Sequence, residues 1–268
     1  MARVISIINQ KGGVGKTATA TSLAAALNEL GHKTLLIDAD KQCNSTDAYR
    51  AAIDNTATLY DVILERGKHT VNINDAIQGI KGREIVAADP NLSEAEVKYS
   101  TDISQIYRLK EALADLDQSW EFVVIDTNPD LNKLLTACIL GCQDIIVPVT
   151  PDKYPIDGLV SLVNNLDMLK KTVSGVDARI CGILITRCPK AKRILKEQIM
   201  TNIDAAAEQM NTRVFKTVIT ERETMKQAQA ASMTVIDFAR NSETAKEYMQ
   251  LAEEYLGNLK ETLRADNG

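Results

Sequence analysis

The residues best suited to chemistry are gathered in Lys11-Gly12-Gly13-Val14-Gly15-Lys16-Thr17. Closely spaced glycines let successive backbone N–H groups turn to one side and enclose an anion. A lysine and a hydroxyl ending such a loop suit a polyphosphate: Lys16 reaches the β- and γ-phosphates, and Thr17 is placed to ligate Mg²⁺. Carboxylates close two other apolar runs, Asp38 and Asp40 in one case and Asp126 after Phe122-Val123-Val124-Ile125 in the other. Beside a phosphate loop, such acids can support a metal's water shell or orient an attacking water. Their competing use is to end a strand and open a turn. Taken together the residues point to ATP and Mg²⁺ as ligands and to hydrolysis of the γ-phosphoryl group.

These groups must be held by a regular frame. Short β-branched runs at Arg3–Asn9, Lys33–Asp38, Glu84–Ala87, Glu121–Asp126, Asp144–Thr150, Arg179–Thr186 and Val214–Ile219 read as buried strands. Helical patterns lie between them at Thr17–Leu30, Ile103–Leu116, Leu131–Leu140, Gly158–Lys171, Lys192–Gln209 and Ser242–Leu263. The phosphate loop therefore joins a strand to a helix N-terminus, where anions are favoured. The expected fold class is α/β: a doubly wound, mostly parallel twisted sheet with helices on both faces. No repeat or Gly/Pro-rich linker divides the chain, so residues 1–268 are expected to form a single P-loop ATPase domain. Ala51 to Thr101 is the least regular stretch, with one strand and several polar turns, and is expected to cover one sheet edge.

Composition narrows the alternatives. The chain has 268 residues and a formal charge of −5, with 31 Lys and Arg against 36 Asp and Glu, which excludes a uniformly basic nucleic-acid coat. Aromatics are 4% of residues, too few for stacking platforms on single strands. Five cysteines without a secretory signal suggest reduced thiols and a cytoplasmic protein. No stretch approaches the ~20 apolar residues of a membrane span. Cys138 and Cys142, four apart on a helix, read as buried small hydrophobes rather than cluster ligands.

The usual loop pattern G-x-x-x-x-G-K-[ST] is not met, because Gln10 stands at its first glycine. Instead a second lysine, Lys11, precedes a Gly-Gly pair. This resembles the deviant Walker A motif of the ParA/MinD family of P-loop ATPases. Asp38-Ala39-Asp40-Lys41-Gln42-Cys43-Asn44-Ser45-Thr46 resembles the family's D-x-D-P-Q-G-N-[AS]-T, with Lys41 for proline and Cys43 for glycine. Asp126-Thr127-Asn128-Pro129-Asp130-Leu131 is similar to its D-x-P-P-S-L, with Asn128 and Asp130 as departures. Asp130 adds negative charge near the γ-phosphate, which weakens the expectation of hydrolysis relative to binding. Ala18 replaces a threonine common in relatives, and Thr220, Glu221 and Arg222 stand for P-R-N after Val218-Ile219.

The resemblance implies roles residue by residue. Lys11 reaches a partner's nucleotide across a dimer, and with Lys16 neutralises charge while Asp40 positions the water. Lys11, Gly12, Gly13, Val14, Gly15, Lys16, Thr17 and Ala18 cradle the phosphates, and Thr186 and Arg187 lie where relatives touch the base. Thr17, Asp38 and Asp126 belong to the Mg²⁺ site.

The implied function is ParA-type plasmid or chromosome partition: a homodimer with ATP, weak hydrolysis stimulated by a ParB-like protein, and non-specific binding of double-stranded DNA by the ATP form, with the protein then nucleoid-associated. Between Lys170 and Arg240 there are thirteen Lys and Arg against seven Asp and Glu, although the whole chain is acidic. Lys190, Lys192, Arg193, Lys196, Arg222 and Lys226 are the candidate DNA contacts. Glu221, where relatives carry arginine, argues against DNA, and two solvated basic helix faces would produce the same count. The alternative is a nucleotide-gated binding or positioning module, MinD-like or for non-DNA cargo, with little turnover. The last helix carries Tyr248, Ala252, Tyr255, Leu259 and Leu263 on one stripe, but its mixed polar face favours packing on the sheet over binding a membrane.

Overall fold

The structure is a computed structural model that describes residues 1–64, 71–130, 132–151, 157–189, 201 and 203–266. Its strands are β1 (Arg3–Ile7), β2 (Thr34–Ala39), β3 (Ile77–Ile80), β4 (Arg83–Val86), β5 (Phe122–Thr127), β6 (Asp144–Val149), β7 (Arg179–Cys188) and β8 (Val214–Thr220). Among the described residues they form one eight-stranded sheet in the order β3-β4-β2-β5-β1-β6-β7-β8. All neighbours are parallel except β3 and β4. The helices are α1 (Lys16–Glu29), α2 (Asn44–Ala48), α3 (Leu59–Ile63), α4 (Ser93–Thr101), α5 (Arg108–Ala114), α6 (Lys133–Gly141), α7 (Asp157–Thr172), α8 (Glu223–Ala230), α9 (Val235–Phe238) and α10 (Glu243–Asp266).

β2, β5 and β6 are buried from end to end, as parallel strands covered on both faces must be. Their pleat sends alternate side chains to two cores. Ile5, Ile7, Leu36, Val124 and Ile146 pack against α1, α9 and α10, whereas Val4, Leu35, Ile37, Val123 and Ile125 pack against α3, α5, α6 and α7. The sheet is therefore doubly wound. α1 is built from small residues and is buried along most of its length between the sheet and α10. Of the stripe on α10, Tyr248, Ala252 and Tyr255 are buried in that contact together with Leu251, Leu259 packs against it partly buried, and Leu263 is 43% exposed. Among the described residues no helix is long and apolar enough to cross a membrane.

Opposite the phosphate-loop end, Asp144 opens β6 with almost no solvent exposure. It accepts from Arg3 at 2.7 and 2.9 Å, from Arg179 at 3.0 Å and from the Tyr255 hydroxyl at 2.8 Å. These bonds outweigh the cost of burial and hold its carboxyl below the usual range.

The structure adds elements to the irregular segment. Ile77-Gln78-Gly79-Ile80 forms β3, an antiparallel edge strand that is half-exposed and lacks a continuous apolar run. α3 and α4 also lie in this segment. The expected helix Ile103–Leu116 is a 3₁₀ turn over Ile103–Tyr107 followed by α5. Most of the expected helix Lys192–Gln209 lies outside the described residues.

Candidate functional site

The phosphate loop leaves the carboxyl end of β1, whose neighbours β5 and β6 depart on opposite sides. In open α/β sheets this topological switch point is where ligands bind. Asn9 anchors the loop: its Oδ1 accepts from the Lys11 N–H at 2.8 Å and its Nδ2 donates to the Pro148 carbonyl at 2.7 Å. Gly13 and Gly15 take φ of 74° and 85°, a region that a Cβ makes costly. Gly15 then caps α1 directly. Lys16 folds back over the loop, with Nζ donating to the Lys11 carbonyl at 3.3 Å. Burial holds its pKa below the ordinary value, against the pull of Asp126, Asp40 and Asp130. Lys11 is exposed at the rim.

The register Ile7–Asp126 and Asp38–Asp126 brings the acids together at the ends of β1, β2 and β5. Asp126 is fully buried. Its Oδ2 accepts from Ser45 Oγ at 2.8 Å, whereas Oδ1 makes no hydrogen bond within the protein. Thr17 stands near enough to favour the charged carboxylate. An orphaned, buried carboxylate oxygen beside a threonine hydroxyl and a loop of N–H groups fits a hard divalent cation and its water.

Asp38 is engaged differently: Oδ1 accepts from the Asp40 N–H at 3.1 Å, and Oδ2 accepts from the N–H and hydroxyl of Thr46, each at 2.8 Å. Burial raises both the Asp38 and Asp126 carboxyls above the usual range, and Asp38 is raised further by its neighbour Asp126. Asp40 sits at the cleft, nearly buried, with Oδ1 accepting from the Gln42 N–H at 3.0 Å. The turn after it bends through Cys43 at φ 54°, a left-handed conformation that favours glycine.

A cleft of about 600 Å³ opens over these groups. Gly12, Gly13, Gly15, Lys16, Thr17, Ala18 and Asp40 line it together with Thr186, Arg187, Glu221, Arg222 and Lys226. Val14 is buried beneath the loop, its carbonyl accepting from Thr186 Oγ1 at 2.7 Å. Asp130 is exposed and its N–H donates to Asn128 Oδ1 at 3.0 Å. Ser45, Thr46 and Asn9 are positioning residues to which motif reading assigned no role: Ser45 acts on Asp126 and Asn9 on Pro148, both distant in sequence, and Thr46 acts on Asp38 eight residues before it.

Of the six candidate DNA contacts, Arg222 and Lys226 fall within the described residues. Lys190, Lys192, Arg193 and Lys196 lie outside the described residues. Arg222 is held by Glu247 at 2.6 Å with only 18% of its side chain exposed. Lys226 is exposed and pairs with Glu223 at 3.4 Å. Cys138 and Cys142 are buried, and burial pushes the Cys142 thiol up to about 12. No group of three or more His, Cys, Asp or Glu side chains placed to hold a metal ion is found among the described residues.

Comparison with known proteins agrees with this geometry. Residues 2–180 match the AAA_31 family, an AAA domain. The chain is 30% identical over 261 residues to the sporulation initiation inhibitor protein Soj of Bacillus subtilis, covering 96% of this chain and all of that protein. It is also 30% identical over 263 residues to the chromosome-partitioning ATPase Soj of Thermus thermophilus, covering 97% of each. Among solved structures, cobyrinic acid a,c-diamide synthase from Mycobacterium smegmatis with bound ADP and magnesium superposes with a TM-score of 0.80 at 25% identity, over 97% of this chain and 96% of that one. The sheet order, the two-lysine phosphate loop and these full-length matches place the chain in the ParA/MinD-type family of P-loop partition ATPases.

Proposed function

We propose that residues 1–268 act as one partition ATPase domain that binds Mg·ATP in the 600 Å³ cleft, dimerises around it and hydrolyses it slowly. One observation carries the reading: a buried lysine and a buried, half-satisfied Asp126 meet beside Thr17 at the carboxyl ends of adjacent strands. Thr17 and Asp126 would hold Mg²⁺, which when bound neutralises charge on the phosphate oxygens. Lys16 sits where it can bind the β- and γ-phosphates, and the loop N–H groups orient them. Asp40 accepts a hydrogen bond from the attacking water and aligns it with the γ-phosphorus. Asp38 serves as a positioning residue, fixing Asp40 and α2 through its bonds to the Asp40 N–H and Thr46. Lys11 is exposed at the rim, suiting a contact with the nucleotide of a second copy. Thr186 and Arg187 border the part of the cleft left for ribose and base.

The partition role, a ParB-like stimulating partner, cytoplasmic location and non-specific DNA binding by the ATP form rest on family membership. Binding to random-sequence duplex DNA with ATP, ADP or no nucleotide, across a salt series, tests them. ATP-dependent binding that weakens with salt and is lost in Lys11→Ala supports a DNA-gripping dimer. ATP-driven dimerisation without DNA binding would remove that role. A second reading, nucleotide-gated positioning of non-DNA cargo with little turnover, is favoured by the pairing of Arg222 with Glu247 and of Arg187 with Glu221, which leaves the cleft rim less basic.

A further inference from the structure

Glu221 departs from the family pattern and has no part in the chemistry above, yet it lies at the edge of the nucleotide cleft. Its N–H donates to the Cys188 carbonyl at 2.9 Å, which ties the end of β8 to the end of β7. Its carboxylate accepts from Arg187 Nη2 at 3.1 Å. The other arm of the same guanidinium, Nη1, donates to the Gly13 carbonyl at 2.8 Å. Arg187 makes this bridge from φ 49°, a conformation rarely taken by a residue with a Cβ, at the point where β7 meets the phosphate loop.

The neighbouring Thr186 hydroxyl holds the next carbonyl, that of Val14. Two successive peptide groups of the loop thus have their oxygens turned towards the end of β7. Because the peptide unit is planar and trans, the N–H groups of Val14 and Gly15 are turned the opposite way. These are backbone donors of the phosphate loop, so whatever fixes the two carbonyls also fixes the donors. With the arginine of the family pattern at position 221, two like charges would meet at this corner; glutamate instead holds Arg187 in place.

We propose that Glu221 is a positioning residue for nucleotide retention, acting through Arg187 to strap the ends of β7 and β8 to the Gly13 peptide of the phosphate loop. The inference rests on the reading of the cleft as a nucleotide site. Both side chains of the pair retain solvent, Arg187 at 52% and Glu221 at 39%, so the effect is modest and sensitive to salt.

The test is the dissociation rate of a fluorescent ADP analogue with Mg²⁺ from wild type, Glu221→Gln, Arg187→Ala and the double variant, with melting temperatures measured in parallel. Glu221→Gln should release the analogue about threefold to fivefold faster at low salt, the difference shrinking towards 0.5 M salt. In the Arg187→Ala background the same change should have no further effect, because its only route to the loop is gone. An unchanged rate in Glu221→Gln, or an equal acceleration with and without Arg187, overturns the strap while leaving the nucleotide site intact. Failure of wild type to bind the analogue overturns the nucleotide reading itself.

Discussion

The most informative single substitution is Asp126→Asn, because it separates fold from function in opposite directions. This carboxylate is fully buried, satisfied on Oδ2 by Ser45 and without a protein partner on Oδ1, with Asp38 beside it on β2. Burial disfavours the charge, and Asp38 and Asp40 repel it; Ser45, Thr17 and Lys16 offset only part of this. An asparagine keeps an oxygen for Ser45 and removes the charge. Relief of a carboxyl pushed up to about 6 by burial gives about 2–3 kcal/mol, from which an unpartnered amide N–H subtracts about 1. The nucleotide-free variant should thus be more stable by about 1–2 kcal/mol, or roughly 2–6 °C in melting temperature for a chain of this size. The sign with pH follows from the raised folded-state pKa. At neutral pH wild type carries the destabilising charge; as pH falls through the raised value the group protonates, so the advantage of the variant shrinks. Scanning fluorimetry from pH 8 to pH 5 with chelator, then with Mg²⁺ and ATP, reads both halves. Wild type should gain stability with Mg·ATP and the variant should not. A nucleotide-free variant less stable than wild type would show instead that the carboxylate is a strut for Ser45 and that its charge costs the fold nothing.

Three further substitutions test the frame. Gly182→Ala should cost about 1–3 kcal/mol in chemical denaturation, because a Cβ there would lie 2.5 Å from the Phe215 ring across β7 and β8; a neutral result would mean that the ring moves freely. Asp144→Ala should cost about 3 kcal/mol by leaving Arg3 and Arg179 without their shared carboxylate, a figure kept low by the solvent both arginines retain. An effect below 1 kcal/mol would show that solvation replaces the ion pairs. At Cys43, φ 54° reverses the ordinary ranking, so Cys43→Gly should be more stable than Cys43→Ala by about 0.5–1 kcal/mol, measured by denaturant titration. The opposite order would mean that the turn relaxes out of the left-handed region.

Much of the frame could be read from the chain because its signals are local. Seven strands announce themselves as aliphatic runs, and the phosphate loop carries its own context, a strand before it and a helix after. β3 was invisible for the converse reason: Ile77-Gln78-Gly79-Ile80 is a polar-interrupted edge strand whose pairing with β4 defines it more than its composition does. α2, α8 and α9 are short, and tertiary contacts rather than periodicity hold them. At the site, lysines and aspartates could be nominated by type and spacing, but their bonding could not. Asn9, Thr46 and Glu221 act through partners that the fold alone brings near. Asp38 turns its oxygens to Asp40 and Thr46 in the local turn that follows it, and Arg222, a basic residue by type, is committed by the fold to Glu247.

Whether this cleft positions water for attack on bound ATP is measured by single-turnover hydrolysis in wild type and Asp40→Ala, with protein in excess over radiolabelled ATP and Mg²⁺ present. Asp40→Ala should bind ATP with nearly unchanged affinity and form ADP at least about 100-fold more slowly. Hydrolysis at the wild-type rate in Asp40→Ala would contradict that positioning.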